Sequence, residues 1–373
     1  MSRPRVVVIG AGMAGASAAW AFAERADVIL LEAESAPGYH STGRSAATWT
    51  ETYGSSTARA LTRASGAFLR DPPAGFAAGE LVRQIGVLTV ARADQADALE
   101  AFMADVGAHA DRLDRVDAAG AVELAPWLDR GYLAAGAYEP GALSIDVDAL
   151  HQGYLRGLRA RGAKLLTDCR VQTFARAGGS WRLETSAGPV EGEIVVNAAG
   201  AWADEIARLA GLRPVGLVPK RRTAVLVEPP ESEDPSGWPM VDDVGGEFYA
   251  KPEAGWLLVS PQDETPVAPQ DAQPEEWDVA VAVDRFEQAS GRPVRRVGRR
   301  WAGLRTFAPD RAPVIGPDPV APTFGWLAGQ GGFGIMTAPA AAAAIVGLML
   351  DGALPAELKV AADALSPARF RKG

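Results

Sequence analysis

Apolar positions in this chain fall into short runs separated by glycine-bearing turns. Arg5-Val6-Val7-Val8-Ile9 is a β-branched run that predicts a buried parallel strand. Gly10-Ala11-Gly12-Met13-Ala14-Gly15 follows at once, and the Ala-rich stretch Ala16 to Arg25 predicts a helix. Val28 to Leu31 is a second strand, ending at Glu32. Further strands are expected at Gly86 to Val90, Cys169 to Val171, Ile194 to Gly200, Thr223 to Val227, Glu247 to Ala250 and Trp256 to Val259. Asp146 to Gly162 reads as a helix, with Asp146 or Asp148 as N-cap. Thr337 and Pro339 open a last, strongly apolar helix that runs to Leu350 and stops at Gly352. Glu228 to Ser236 and Pro261 to Pro274 are polar, Pro-rich loops.

Two uncharged stretches, Val6 to Ala23 and Gly325 to Leu350, are long enough to span a bilayer. Their glycines and Pro339 mark them instead as buried strand–turn–helix units. The chain has 373 residues, so two domains are expected, and 48% hydrophobic residues supply a large core. A net charge of −9 argues against nucleic-acid binding. The basic triplet Lys220-Arg221-Arg222 and the cluster Arg295 to Arg300 read by default as solvated surface. The single cysteine, Cys169, excludes an internal disulfide. His40, His109 and His151 have no metal-ligand spacing, so no metal site is expected.

The N-terminal unit carries chemistry. Glu32 lies 22 residues after Gly10, so strand, glycine loop, helix, second strand and acid stand in the register of a dinucleotide-binding fingerprint. The first glycine permits the tight turn, the second lets the backbone approach a pyrophosphate, and the third lets helix and strand pack closely. The helix N-terminus offers N–H groups to phosphate, and Glu32 would accept hydrogen bonds from the adenosine ribose. An acid in place of an arginine favours an unphosphorylated ribose. The fingerprint alone does not separate FAD from NAD.

The next segment does. Gly38-Tyr39-His40-Ser41-Thr42-Gly43-Arg44-Ser45-Ala46-Ala47 resembles the second flavin loop of the D-amino-acid oxidase and glycine oxidase family. Asn197 to Trp202, Trp301-Ala302-Gly303-Leu304-Arg305 with Asp310 to Gly316, and Gly329 to Ile335 match in chain order, so the resemblance covers nearly the whole chain. Within the family it is strongest to the FAD-dependent D-arginine dehydrogenases. The resemblance implies an α/β fold, with a Rossmann-like FAD-binding domain of glutathione-reductase type interleaved with an α+β substrate domain on a mixed, largely antiparallel sheet. The expected boundaries are 1–80, 145–214 and 300–373 for the FAD domain, and 81–144 and 215–299 for the substrate domain. The implied non-covalent FAD site comprises Gly10, Gly12, Met13, Ala14, Gly15, Glu32, Ala33, Ser41, Thr42, Arg44, Ser45, Ala46, Ala47, Val171, Ala199, Gly200, Trp202, Gly303, Arg305, Gln330, Gly331, Gly332, Phe333, Gly334 and Ile335.

The resemblance also implies oxidative deamination of a D-amino acid to a 2-oxo acid and ammonia. Arg222 and Arg305 match arginines that hold the substrate carboxylate, Tyr53 and Tyr249 match tyrosines that assist, and the Gly332 carbonyl accepts from the amine. The polar stretch Thr50 to Ser56 reads as a mobile loop and a candidate lid. No general base stands out. Thr48, Thr50, Ile85, Val87, Met240, Asp242 and Met336 are the candidate side-chain pocket. Departures from the family lie here. The stretch Arg83 to Val90 lacks the acid that pairs with a guanidinium, and Thr48 and Met336 replace a His and a Gln. Neutral or hydrophobic side chains are therefore expected over strongly basic ones, unless Asp242 and Asp243, whose simplest reading is a solvent loop, restore a negative site. A secondary-amine oxidase of the sarcosine type is the alternative within the fold. An NAD(P)H-dependent flavin hydroxylase and a flavin subunit without its own substrate are the alternatives outside it. The expected partners are the amino acid and an electron acceptor (a quinone, a dye-like carrier or oxygen), and the expected location is cytoplasmic, with room for peripheral membrane contact.

Overall fold

Residues 3–107, 110–230 and 233–371 are described by the computed structural model; His109 lies outside them. The β-branched run Arg5–Ile9 is a central strand of a six-stranded sheet. The spatial order is Val314–Asp318, Ala321–Ala328, Ile194–Asn197, Arg5–Ile9, Asp27–Leu31 and Lys164–Leu166, parallel except for the first pair. Neither face meets water. Val6 and Val8 pack with the helices Met13–Phe22 and Ala338–Leu350, while Val7 and Ile9 pack with Trp181, Leu183 and Val190 of a three-stranded antiparallel sheet. That explains why the run is continuously apolar rather than alternating.

The first helix begins three residues earlier than its Ala-rich stretch suggests, because Gly12 serves as N-cap. Gly10 takes φ +95°, and a Cβ there would lie 2.6 Å from the Ala198 carbonyl oxygen. A Cβ on Gly15 would lie 1.7 Å from the Gly10 carbonyl oxygen, so the helix can lie on its own loop only without one. Helix Val147–Ala160 starts as expected, with Asp146 Oδ1 accepting from the Ala149 N–H at 2.8 Å. The strand read at Cys169 begins at Val171; Cys169 itself is buried, and its N–H donates to the Glu32 carbonyl.

The second layer is a nine-stranded sheet. Its path runs Thr265–Pro266, Val218–Val227, Trp256–Ser260, Tyr249–Glu253, Met240–Asp243, Val87–Ala91, Ala135–Glu139 and Asp114–Asp117, and Val297–Phe307 also pairs with Val218–Val227. The pairing is antiparallel apart from Met240–Asp243 beside Val87–Ala91. Helix Glu276–Ser290, not foreseen in the sequence, covers one face by packing Val279, Ala282 and Phe286 against Val225, Val227, Leu257 and Val259. The expected boundary at residue 300 falls inside strand Val297–Phe307. Met240–Asp243, expected as a solvent loop around its two acids, is a strand in the interior of this sheet.

Strand alternation resolves the basic triplet. Arg221 points to the helix-covered face and pairs with Asp278 at 2.8 Å and with Glu275. Arg222 points to the opposite face. Both arginines are 7% exposed, so the surface reading of the triplet is corrected.

Candidate active site

A cleft of about 470 Å³ runs between the two sheets. One end is lined by Gly10, Gly12, Met13, Ala14, Glu32 and Ala33, its flank by Ser41, Thr42, Arg44, Ser45, Ala46 and Ala47, and its far end by Gly303, Arg305, Gln330, Gly331, Gly332, Gly334 and Ile335. Val171, Ala199, Gly200 and Trp202 also line it. The donor set fits a flavin dinucleotide. The first helix has no acid in its first turn, so its positive N-terminal end can meet a pyrophosphate. The Glu32 carboxylate accepts from the Ala11 N–H at 2.8 Å and the Glu34 N–H at 3.0 Å, which holds it at the ribose end. Thr42 Oγ1 accepts from the Met13 N–H at 2.9 Å, tying the second flavin loop to the first. Arg44 is spent on structure: Nη1 donates to the Ala272 and Ala302 carbonyls and Nη2 pairs with Asp271.

The far end is cationic. Arg222 and Arg305 stand on adjacent strands of one sheet face, in the register Arg222 to Gly303 and Lys220 to Arg305. Arg222 donates backward, from Nε to the Asp263 carbonyl at 2.9 Å and from Nη2 to Glu264 at 3.4 Å. Its Nη1 is buried and has no hydrogen-bond partner among the described residues. Burial, and then repulsion by Arg305, lower the Arg222 pKa. Arg305 Nη1 donates to the Tyr53 hydroxyl at 3.2 Å, and its guanidinium lies 5.8 Å from the Tyr249 ring centre. Gly332 closes the group: a Cβ there would lie 2.7 Å from the Tyr53 hydroxyl and 2.9 Å from Arg305 Nη1.

A family model described as DAO, FAD dependent oxidoreductase, matches residues 5–348. The chain belongs to this family. Mouse mitochondrial dimethylglycine dehydrogenase is 29% identical to this DAO-family chain over 67% of it, and the hydrogen cyanide synthase subunit HcnC of Pseudomonas aeruginosa is 29% identical over 61%. The match covers 30% of the mouse protein and 56% of HcnC, and the chain spans about a third of the length of the dimethylglycine dehydrogenases it matches. Among solved structures, L-proline dehydrogenase from P. horikoshii superposes with a TM-score of 0.87 at 22% identity, covering 100% of this chain and 99% of that one. Glycine oxidase from Geobacillus kaustophilus superposes with a TM-score of 0.82 at 21% identity, covering 97% and 99%. The DAO-family α/β fold with mixed sheets, and FAD as cofactor, are thereby shown.

Several DAO-family site residues sit differently from expectation. Gly15 is not in the cleft lining but in the first turn of the helix, against the Gly10 carbonyl, and Phe333 is buried in the FAD-side core with its ring 6.4 Å from that of Tyr53. Met336, expected in the side-chain pocket, is 2% exposed and packs into the same core, because it belongs to the turn that leads into helix Ala338–Leu350. Thr50 is not in the cleft lining, and its hydroxyl donates at 2.5 Å to Oε2 of Glu139, which is registered with Val87. Thr52 donates to the same oxygen at 2.7 Å and the Glu51 N–H to Oε1 at 2.8 Å. The stretch read as a mobile lid is thus buried at 50–52 and pinned to the substrate sheet. The remaining pocket residues do gather. Thr48 Oγ1 lies 3.5 Å from Met240 Sδ, Met240 is registered with Val87, and Ile85 is buried just before that strand.

Glu139 is a site residue that sequence reasoning missed. In Tyr138-Glu139-Pro140-Gly141 it looks like the start of a surface turn. His40, which the sequence places in the second flavin loop without a role of its own, lines the cleft, with Nε2 3.1 Å from Glu34 and its ring 4.6 Å from that of Trp202. Trp301, at the head of the Trp301-Ala302-Gly303-Leu304-Arg305 motif, ties the strand to the flavin loop: its Nε1 donates to the Arg44 carbonyl at 2.9 Å. Among the described residues no group of three or more metal-ligating side chains occurs, and no helix is long and apolar enough to cross a membrane.

Proposed function

We propose that this chain oxidatively deaminates a D-amino acid to a 2-oxo acid and ammonia. The observation that carries this reading is the unpartnered, buried Nη1 of Arg222 facing Arg305 across one sheet face. Two guanidiniums on one sheet face suit a substrate carboxylate, Arg222 through its unengaged Nη1 and Arg305 through its planar fork. The Tyr53 and Tyr249 hydroxyls complete the grip, and the Gly332 carbonyl accepts from the amine. FAD, when bound, takes up the substrate's α-hydrogen as hydride. The protein's part is to hold the carboxylate, exclude water from that end of the cleft and keep the amine in a state that can give up electrons. Met240, Val87 and Ile85 offer the side chain an apolar wall with no acid in the stretch 83–90, which supports neutral or hydrophobic side chains over strongly basic ones. The motif resemblance to D-arginine dehydrogenases supports the D-configuration and nothing about arginine itself.

A second reading takes an N-methylated or other secondary amino acid of the sarcosine type. It is favoured by the likeness to dimethylglycine dehydrogenase and, in fold, to iminodiacetate oxidase, and it uses the same carboxylate grip. Anaerobic mixing of the yellow holoenzyme with D-amino acids, L-amino acids, sarcosine and NADH separates the readings by which one bleaches the flavin. D-amino acids alone are expected to do so. Bleaching by sarcosine alone moves the function to the second reading, and bleaching by NADH alone rejects both.

A further inference from the structure

Asp242 stands on the same sheet face as the carboxylate grip. It is registered with Tyr249 on one side and with Thr89 on the other, two residues along the strand from Met240. Alternation sends its neighbours Val241 and Asp243 to the opposite face, where Val241 joins the core and Asp243 accepts from Gln95 at 3.2 Å. Its own carboxylate has one hydrogen bond among the described residues, from Gln262 Nε2 to Oδ1 at 2.8 Å. Gln262 reaches it from a left-handed backbone position, φ +56°, while also donating to the Phe248 carbonyl at 3.1 Å. Asp242 keeps Oδ2 without a hydrogen bond among the described residues, unlike Glu139 on the same face, whose oxygens are occupied by Thr50, Thr52 and the Glu51 N–H. Asp263 and Glu264 lie behind Arg222 and are bonded there.

A zwitterionic amino acid presents two charges. Arg222 and Arg305 answer the carboxylate. The adjoining ammonium, once removed from water, needs an anion or must lose a proton. Building on the function proposed above, we infer that Asp242 is the counter-charge for the substrate amine and the acceptor of its proton. One N–H bond of the ammonium breaks, one O–H bond forms on the carboxylate, and the nitrogen lone pair thus released would support loss of the α-hydrogen with its electron pair, the hydride acceptance that FAD would supply when bound. The carboxyl is tuned for this exchange. Burial, and then the charge of Asp243, push its pKa up to about 7, while Arg222, Arg305 and the Gln262 hydrogen bond pull the other way. Tyr249 on the next strand, Lys251 two residues further along it and Tyr53 across the cleft complete the titratable groups around it. Assigning Asp242 to the amine leaves the apolar wall for the side chain, in accord with neutral substrates.

The test uses the FAD-loaded enzyme and its Asp242→Asn variant, which keeps an acceptor for Gln262. Wild-type flavin bleaching by a neutral D-amino acid is expected to rise with pH and level off above about 7. In D242N the rate at pH 7 is expected to fall by about 10²-fold or more, with the rising limb moved to higher pH, as for loss of a proton acceptor. Binding of butyrate, a carboxylate without an amine, followed by its perturbation of the flavin spectrum, reads the same group without turnover. It should weaken as pH rises through 7 in wild type and stay level in D242N. Gln262→Asn, too short to reach, should shift the wild-type limb upward while preserving the rate above it. A D242N enzyme that bleaches within about 3-fold of wild type on an unshifted limb overturns the assignment, as does selective loss of substrates with cationic side chains, which would place the carboxylate at the side chain. If no amino acid bleaches even the wild type, the deamination reading fails and takes this assignment with it.

Discussion

At the scale of single residues, the far end of the cleft is decided by which donors are already engaged. Arg222 spends Nε and Nη2 on Asp263 and Glu264 and keeps Nη1. A lysine at this position retains the charge but cannot bond backward and forward at once. Arg222→Lys is therefore expected to keep its flavin and its fold while kcat/KM for the amino acid falls about 10- to 10²-fold, the range for losing one charge-assisted hydrogen bond of about 1.5–3 kcal/mol. Steady-state kinetics should show most of the loss in KM, with the flavin-to-protein ratio unchanged. A loss carried by flavin content would mean that Arg222 supports the cofactor instead. Glu264 sets a pH dependence of its own. Arg311 first, and then Lys220, hold its carboxyl down to about 2. A depressed carboxylate contributes stability above its unfolded pKa and loses it as pH falls toward the folded value. Thermal melts should accordingly drop between about pH 4.5 and 2 in wild type, and less steeply in Glu264→Gln.

At the scale of elements, the substrate sheet reaches across the cleft to grip a loop of the FAD side. Glu139, the last residue of strand Ala135–Glu139, takes three donors from residues 50–52, and Tyr53 follows directly. Arg59 adds a second tie: Nη1 donates to the Gly54 carbonyl at 2.9 Å and to Asp105 of helix Ala96–Val106 at 2.9 Å. Glu139→Gln keeps the shape but replaces one acceptor oxygen by a donor facing hydroxyls. Tyr53 should then lose its fixed approach to Arg305. Substrate affinity is expected to weaken about 10-fold, in keeping with 1–3 kcal/mol for a buried polar group left unpaired, and Tyr53→Phe in the same background should add little further. A double-mutant cycle on substrate Kd checks this, and full additivity would show that the two act apart. This tie marks the limit of what could be read in the chain. The dinucleotide unit was legible because strand, glycines, helix and acid are local, and the flavin loops because their motifs are contiguous. Glu139 and Asp242 were not, since their roles depend on register between strands far apart in sequence. Arg222 was legible only through family resemblance, for composition alone made its triplet a surface. Helices Ser56–Arg70 and Glu276–Ser290 are not among the elements the sequence predicts, although the apolar positions of the first recur at helical spacing.

At the scale of the whole molecule, the cleft joins segments far apart in the chain. Its lining takes residues from 9–47, 169–209, 222–258 and 301–335, so FAD bound there would touch elements of both sheets. A ligand that binds only the folded state stabilises it by an amount set by its concentration over its Kd, about 2.7 kcal/mol at 100-fold excess. Because these contacts span both sheets, the stabilisation should reach the whole chain rather than one part of it. The apoprotein, prepared by mild acid release of the flavin, is expected to melt a few degrees below the holoenzyme, at roughly 2–4 °C per kcal/mol for a domain of 150–250 residues and less for a longer chain. Added FAD should restore the melting temperature in a concentration-dependent way. Calorimetry gives the decisive form of the test. One transition that moves as a unit with FAD shows that the sheets unfold together through the cofactor they share. Two transitions, of which FAD moves only the one containing the glycine loop, would show that the substrate sheet is stable without the flavin, and that Glu139 and the Arg44–Asp271 pair couple the halves too weakly to make them one cooperative unit.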